Sequence, residues 1–420
     1  MAETYVPRVA TAPTGPVQRW AYPTLLLLLG TALGVSTVPA PLYGVYMSEW
    51  GLAPVTTTVV FAAYAFAALA AVLFSGAITD RFGRKPVISV AVVGMLAGLA
   101  VFAAAPAVPD ELRVPVLVLA RVLHGASVGA SVVAISAALL DLRPELGART
   151  GHLTGIVFNI GVTLAILGAA VLAQYGPAPL VLPYGVIAVL VAGLGVALWR
   201  MEETHHGRGS VPLRVARPRI PAAITTDFTF SALGAMASWS VLGVFLSLFP
   251  TLAAESTGLR NLVFGGAVVA ASSGAAVLSQ IVAGQRTAAP MAVIGDVGTG
   301  LSLLLAVPAL AIGNPWAVAV SAVLIGFFFG LAFGCSLRHL TNVVPGENRG
   351  EVMSAFYVCA YGAMAVPTIL AGAAATRWGI ADVFGPFVAV VALACLVAAT
   401  LGFRILRRQR SPIANTLISS

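Results

Sequence analysis

Polar residues interrupt this chain in short bursts, and between them lie apolar stretches long enough to cross a bilayer, which takes about 20 residues. Six occur at 22–46, 54–79, 86–106, 115–140, 150–174 and 179–200. Six more follow at 222–250, 260–285, 289–312, 316–340, 350–375 and 380–404. The runs are continuous rather than alternating, which predicts spanning helices and not barrel strands. The longest polar interruption, Met201 to Ile220, carries His205, His206, Arg208, Arg214, Arg217 and Arg219 and separates the two sets. The expected architecture is an all-α membrane protein: a tail at 1–21, a six-helix bundle at 22–200, a linker at 201–221, a second bundle at 222–404 and a tail at 405–420.

Composition agrees. Of 420 residues, 59% are hydrophobic and 9% charged, where a soluble domain carries about 25% charged residues. The net charge of +8 does not indicate nucleic-acid binding, because the basic residues are spread over the turns between spans. Cys335, Cys359 and Cys395 all fall in apolar segments without metal-ligand spacing and read as small packing residues. The apolar stretch from Thr24 continues past Val38 with no soluble domain behind it, so it reads as a first membrane helix rather than a signal peptide.

Lys and Arg set the expected orientation. Nineteen of them fall on one side of the predicted spans, including Arg81, Arg84, Lys85, Arg149, Arg200, Arg338 and Arg349. Only Arg113, Arg260 and Arg377 fall on the other. That asymmetry places both termini and the linker in the cytoplasm.

The turn between the second and third spans, Gly76-Ala-Ile-Thr-Asp80-Arg81-Phe-Gly83-Arg84-Lys85, is the most informative segment. Gly76 permits close backbone approach, and Gly83 supplies the dihedrals of a tight turn. Pro86 suits a first helical turn, the bases are membrane-surface anchors, and Asp80 requires a cation or a helix N-terminus. The pattern G-x-x-x-D-R-x-G-R-K resembles the signature loop of the major facilitator superfamily of secondary transporters. The resemblance implies that Gly76, Asp80, Arg81, Gly83 and Arg84 gate the cytoplasmic side, with Asp80 meeting the start of span 11 near Arg349, Gly350 and Glu351. The corresponding turn of the second half, Gly284-Gln285-Arg286, has no acid and fewer bases.

The halves also resemble each other. Gly125 and Gly129 in span 4 correspond to Gly326 and Gly330 in span 10, and Arg149 corresponds to Arg349. Parallel repeats of this kind put a substrate site near the midplane between the halves, with access alternating as one half rocks on the other.

Arg121 lies inside span 4, where a cation costs at least about 2.5–3.5 kcal/mol unless paired or hydrated. The run Arg121-Val-Leu-His124-Gly125 resembles the R-x-x-Q-G pattern of the superfamily, with His124 in the usual Gln position; in relatives that Arg is linked to proton coupling. His124 shares roughly a face with Arg121 and is either a titrating partner or a packing histidine. Asp227, in the first turns of span 7, is a proton-carrier candidate or an interfacial partner of Arg217 or Arg219. Spans 3, 6, 9 and 12 are usually peripheral in this fold, so Asp296 is expected to pair with Arg286.

The expected lining is aromatic and sparsely polar: Tyr43, Tyr46, Tyr64, Asn159, Trp239, Phe356, Tyr357 and Tyr361. It suits a lipophilic or amphipathic organic molecule. No nucleotide-binding loop, H-E-x-x-H or C-x-x-C is present, so no enzyme or cofactor is indicated and an ion or substrate gradient must supply energy. The expected function is proton-coupled export by a monomer in a bacterial-type inner membrane, with small organic substrates and lipid as partners. Two departures favour a symporter or uniporter for a small metabolite: span 1 has no central acid, and Gly161 to Ala170 in span 5 lacks the exporters' Gly-Pro pair. A transporter-like sensor without flux is the third reading.

Overall fold

The computed structural model describes residues 18–205, 218–259, 261–284 and 286–410. Among them there is no strand, and twelve helices are long and apolar enough to span a membrane. In chain order these are α1 (Ala21–Trp50), α2 (Pro54–Phe82), α3 (Arg84–Ala107), α4 (Asp110–Leu142), α5 (Arg149–Tyr175) and α6 (Leu182–Trp199). The second half holds α7 (Ala222–Ser247), α8 (Leu262–Ala283), α9 (Ala288–Ile312), α10 (Pro315–Val343), α11 (Gly346–Trp378) and α12 (Ile380–Arg408). Each matches one predicted apolar run.

Local sequence sets the ends. Pro54 and Pro315 occupy first-turn positions, where a missing N–H costs nothing. The Asn261 and Asn314 side chains cap α8 and α10 by accepting from the N–H groups of Val263 and Trp316 at 2.8 and 2.9 Å. Pro39 and Pro41 break α1 into a helix ending at Thr37, a 3-10 turn and a second helix from Tyr43, because neither proline can donate to a preceding carbonyl. Past α7, Pro250 starts a separate short helix, Phe249–Thr257.

Small residues set the packing inside each half, as they do where apolar solvent gives helices no hydrophobic drive to associate. Gly125 and Gly129 of α4 lie against the carbonyls of Tyr64 and Ala68 of α2. Gly326 and Gly330 of α10 lie against Ser272 and Ala276 of α8. The glycine correspondence between the halves therefore serves equivalent helix pairs. Gly161 of α5 meets Gly30 of α1, and Gly243 of α7 meets the Met364 carbonyl of α11, completing the parallel.

Between the halves, α2 packs on α11 and α5 on α8. Call the membrane face carrying Asp80 and Arg84 the basic face. Among the described residues, the hydrogen bonds joining the halves all lie between the middle of the bundle and the opposite face. Thr163 donates to the Ala270 carbonyl, the Leu262 N–H to Gln174, Asn261 to Tyr175, and the Val55 N–H to Thr376. Gly372 packs on Thr58 and Gly266 on Ala170 on the same side. Toward the basic face Gly76, Gly155, Gly274 and Gly362 have open space where a side chain would project. The halves are clamped at one face only.

Candidate transport site

Arg121 is 1% exposed. Its Nη1 donates to the Ser36 carbonyl of α1 at 2.7 Å, and its guanidinium carbon lies 4.7 and 5.3 Å from the ring centroids of Tyr64 and Phe61 of α2. The proline break in α1 leaves carbonyls near its C-terminal end without helical donors, and Arg121 engages one of them. The two rings add cation–π attraction, on the order of 2 kcal/mol for a desolvated pair. No carboxylate pairs with Arg121 among the described residues.

His124 is fully buried but turns elsewhere. It packs 5.2 Å from the Phe102 ring and against Gly98, both on α3, and neither ring nitrogen has a hydrogen-bond partner. The two residues lie three apart, on roughly one face of α4, but Arg121 reaches α1 and α2 while His124 meets α3. Around them an aromatic chain crosses the first bundle. Trp50 packs on Tyr46 at 4.6 Å, the Tyr46 hydroxyl bonds that of Tyr184 at 2.7 Å, and Tyr184 stacks on Phe102 at 4.8 Å. Tyr184, Phe61 and Ser36 were not singled out in the sequence; their apolar or small side chains carry no mark of the partner they meet.

In the second bundle the Asp227 carboxylate lies 2.8 Å from His339 Nε2 of α10, with the imidazole 6% and the carboxylate 24% exposed. Asp227 thus pairs with a histidine rather than Arg219, and Arg217 lies outside the described residues. His339 could have been flagged as a titratable residue near the basic end of span 10. Asp296 corrects its expectation more strongly. It is fully buried, neither oxygen has a hydrogen-bond partner, and it does not pair with Arg286. The Arg286 carbonyl accepts from Arg338, which also donates to the Gly284 carbonyl.

Of the remaining lining candidates, Tyr43, Tyr46 and Phe356 are buried in packed cores, so in this conformation they do not face open space. Trp239, Tyr357, Tyr361 and Asn159 remain partly accessible, and Trp239 meets Tyr361 edge-on at 4.7 Å. The Asn159 amide donates to the Gly155 carbonyl of its own helix. A cavity of about 570 Å³ opens between the halves near the opposite face, lined by Gly44, Ser48, Thr251, Glu255 and Asn261 among others.

At the basic face Arg84 bridges two acids, Asp80 at 2.6 Å and Asp141 at 3.1 Å. Gly83 turns with φ +98°, open to glycine and strained for other residues. Glu203, at the start of the linker, accepts from the N–H groups of Arg84 at 2.9 Å and Lys85 at 3.1 Å, and so caps α3. Lys85 donates to the Trp199 carbonyl and His205 to that of Asp80. Arg81 stands over the Phe82 ring. No hydrogen bond or ion pair joins this cluster to Arg349 or Glu351 among the described residues, as the unclamped basic face requires.

Twelve candidate spanning helices among the described residues, in two equivalent sixes joined on one side, define the architecture of a multi-pass membrane protein. Residues 25–289 match the sequence profile of the Major Facilitator Superfamily, and the chain belongs to that superfamily. Uncharacterised MFS-type transporters of Pseudomonas aeruginosa strains UCBPP-PA14 and LESB58 are each 28% identical over 234 residues, 54% of this chain and 54% of theirs. The match therefore spans about half the length of either relative. The crystal structure of a variant of the nucleoside transporter NupG superposes with a TM-score of 0.70 at 12% identity, covering 91% of this chain and 99% of that one. That likeness concerns the fold.

Proposed function

We propose that this protein is a proton-coupled antiporter that exports lipophilic or amphipathic small organic molecules across an inner membrane by alternating access. The termini and linker face the cytoplasm, in keeping with the distribution of Lys and Arg. The observation that carries the alternating-access part is the one-sided clamp: inter-half hydrogen bonds run from Thr163–Ala270 to the opposite face, with no counterpart at the basic face among the described residues. In that orientation the conformation is inward-facing. Closing the basic face would bring the Asp80–Arg84 cluster toward Arg349 and Glu351 as the outer contacts part.

In this reading Arg121 is the fixed charge of the first bundle, and Asp227, oriented by His339, is the proton-carrying group of the second, releasing its proton at the basic face. Trp239 and Tyr361 offer aromatic surface to a lipophilic solute. The missing Gly-Pro pair of α5 and the absence of an acid from the middle of α1 favour the second reading, a symporter or uniporter for a small metabolite. Everted membrane vesicles separate the two. Export by antiport predicts that energising the vesicles drives uptake of a lipophilic fluorescent dye and that a protonophore releases it; dye that ignores the gradient contradicts the coupling.

A further inference from the structure

The packed helix pairs α3–α6 and α9–α12 are equivalent in the two halves but meet opposite charges at the basic face. In the first half Glu203, just past α6, accepts from the N–H groups that open α3, at 2.9 Å from Arg84 and 3.1 Å from Lys85. A carboxylate of the chain itself thus answers the positive end of that helix. Among the described residues α9 has no such partner: Thr287 gives no side-chain cap, and no acid lies in the first turn. The end of the second half's sixth helix brings cations instead. There α12 stays helical past Gly402, which packs on Val293 of α9 and Phe230 of α7. As α12 runs toward the basic face and α9 away from it, a rise of about 1.5 Å per residue brings Arg407 level with the first residue of α9. Ile405 and Leu406 join the apolar cluster of Ala283, Ala289 and Val293. That turns Arg404, Arg407 and Arg408 outward as one exposed face at i, i+3 and i+4. Among the described residues no acid pairs with these three or with the exposed Arg286 before α9.

We propose that this corner of the second bundle binds an anionic phospholipid, its phosphate held between the uncapped start of α9 and the arginines of α12. The first N–H groups of a long helix attract an anion, and arginines clustered just beyond a spanning helix add full charges at the membrane surface. Guanidinium groups suit phosphate oxygens because each can donate two parallel hydrogen bonds. The surface next to the arginines makes the occupant a lipid rather than a free anion. Ile294, Val297 and Leu301 of α9 are exposed at helical spacing, and Phe403 stands exposed beside Arg404. An acyl chain lying along that apolar strip delivers its headgroup to the arginines, which a soluble phosphate cannot do. At the equivalent place in the first half a lipid phosphate would meet the Glu203 carboxylate, so the site belongs to the second half alone. A lipid bound here is independent of proton coupling and of the direction in which substrate moves.

The test is thermal unfolding of the purified full-length protein in detergent micelles at fixed pH and ionic strength. Phosphatidylglycerol is titrated against phosphatidylcholine of the same acyl chains, with inorganic phosphate as a third arm. The expected result is a saturable rise in the unfolding midpoint with phosphatidylglycerol only. Arg404→Gln, Arg407→Gln and Arg408→Gln are each expected to weaken the apparent lipid affinity about fivefold, the worth of one basic residue at an anionic surface. Together they should remove the saturable response, while Arg377→Gln, at the opposite face, leaves it intact. Should the triple variant fail to fold, the single variants carry the test, with native mass spectrometry counting the phosphatidylglycerol each retains. Equal responses to the two lipids, a response that survives the arginine substitutions, or an equal loss in Arg377→Gln overturns the proposal. Inorganic phosphate reproducing the rise also overturns it, since the corner would then hold a soluble anion.

Discussion

Arg121 donates to the Ser36 carbonyl at 2.7 Å, so the buried charge of α4 is satisfied by the broken end of α1 rather than by an acid. This ties the cation to the Pro39–Pro41 break. Arg121→Ala leaves the carbonyl without a donor and a void beside Tyr64, and is expected to lower stability by about 1–3 kcal/mol. Arg121→Lys, with no planar guanidinium to lie against Tyr64 and Phe61 while reaching Ser36, should recover only part of it. Denaturation of both variants in detergent checks this.

The Tyr46–Tyr184 hydroxyl pair predicts non-additivity. Either tyrosine changed to Phe leaves the other hydroxyl buried and alone, at a cost of about 1–3 kcal/mol. Changing both removes donor and acceptor together, so the double variant should be no less stable than the worse single one. A double-mutant cycle on unfolding free energies gives the coupling, and strict additivity would show that the bond contributes nothing.

At the basic face, Gly83→Ala meets two obstacles: a φ of +98° and Glu203 Oε2 at 2.5 Å from the new methyl. A strained backbone position costs on the order of 1–3 kcal/mol, and displacement of Glu203 uncaps α3. The expected outcome is faster proteolysis of the linker with the spans intact, read by mass spectrometry of limited digests. Asp80→Asn is milder, since Arg84 keeps Asp141 at 3.1 Å; it is expected to fold, bind substrate and transport more slowly. Unchanged transport in that variant would remove Asp80 from the gate.

Glu255, in the short helix after α7, lines the cavity near the opposite face, and partial desolvation there raises its pKa above the usual carboxylate value. The folded protein therefore holds this proton to a higher pH than the unfolded chain. The associated stability is present at low pH and declines as pH rises from the unfolded carboxylate value through the folded one. Glu255→Gln should flatten that part of the stability–pH curve and make the variant relatively more stable at pH 7 than at pH 4.

Much of the fold is legible in the sequence because bilayer length imposes a repeat on the apolar runs. The glycines at 125, 129, 326 and 330 mark α4 and α10 as equivalent in the two halves, while the helices they approach, α2 and α8, show only in the structure. The site is less legible. Arg121 announces itself as a charge in an apolar run, yet its partner is a main-chain carbonyl that any residue carries. Asp227 and His339 stand 112 positions apart and meet only through helix rotation. Asp296 reads as peripheral from its span number but is covered by α7, α10 and α12, because Gly234 of α7 and Gly295 and Gly300 of its own helix let those neighbours approach closely.

Proton-coupled antiport is tested most directly in proteoliposomes loaded with a pH-sensitive dye. A panel of lipophilic cations, neutral antibiotics and small metabolites is added under an imposed proton gradient. The account predicts that at least one lipophilic compound dissipates the gradient and that Arg121→Ala abolishes the effect. Substrate flux without proton movement would contradict it and leave a uniporter.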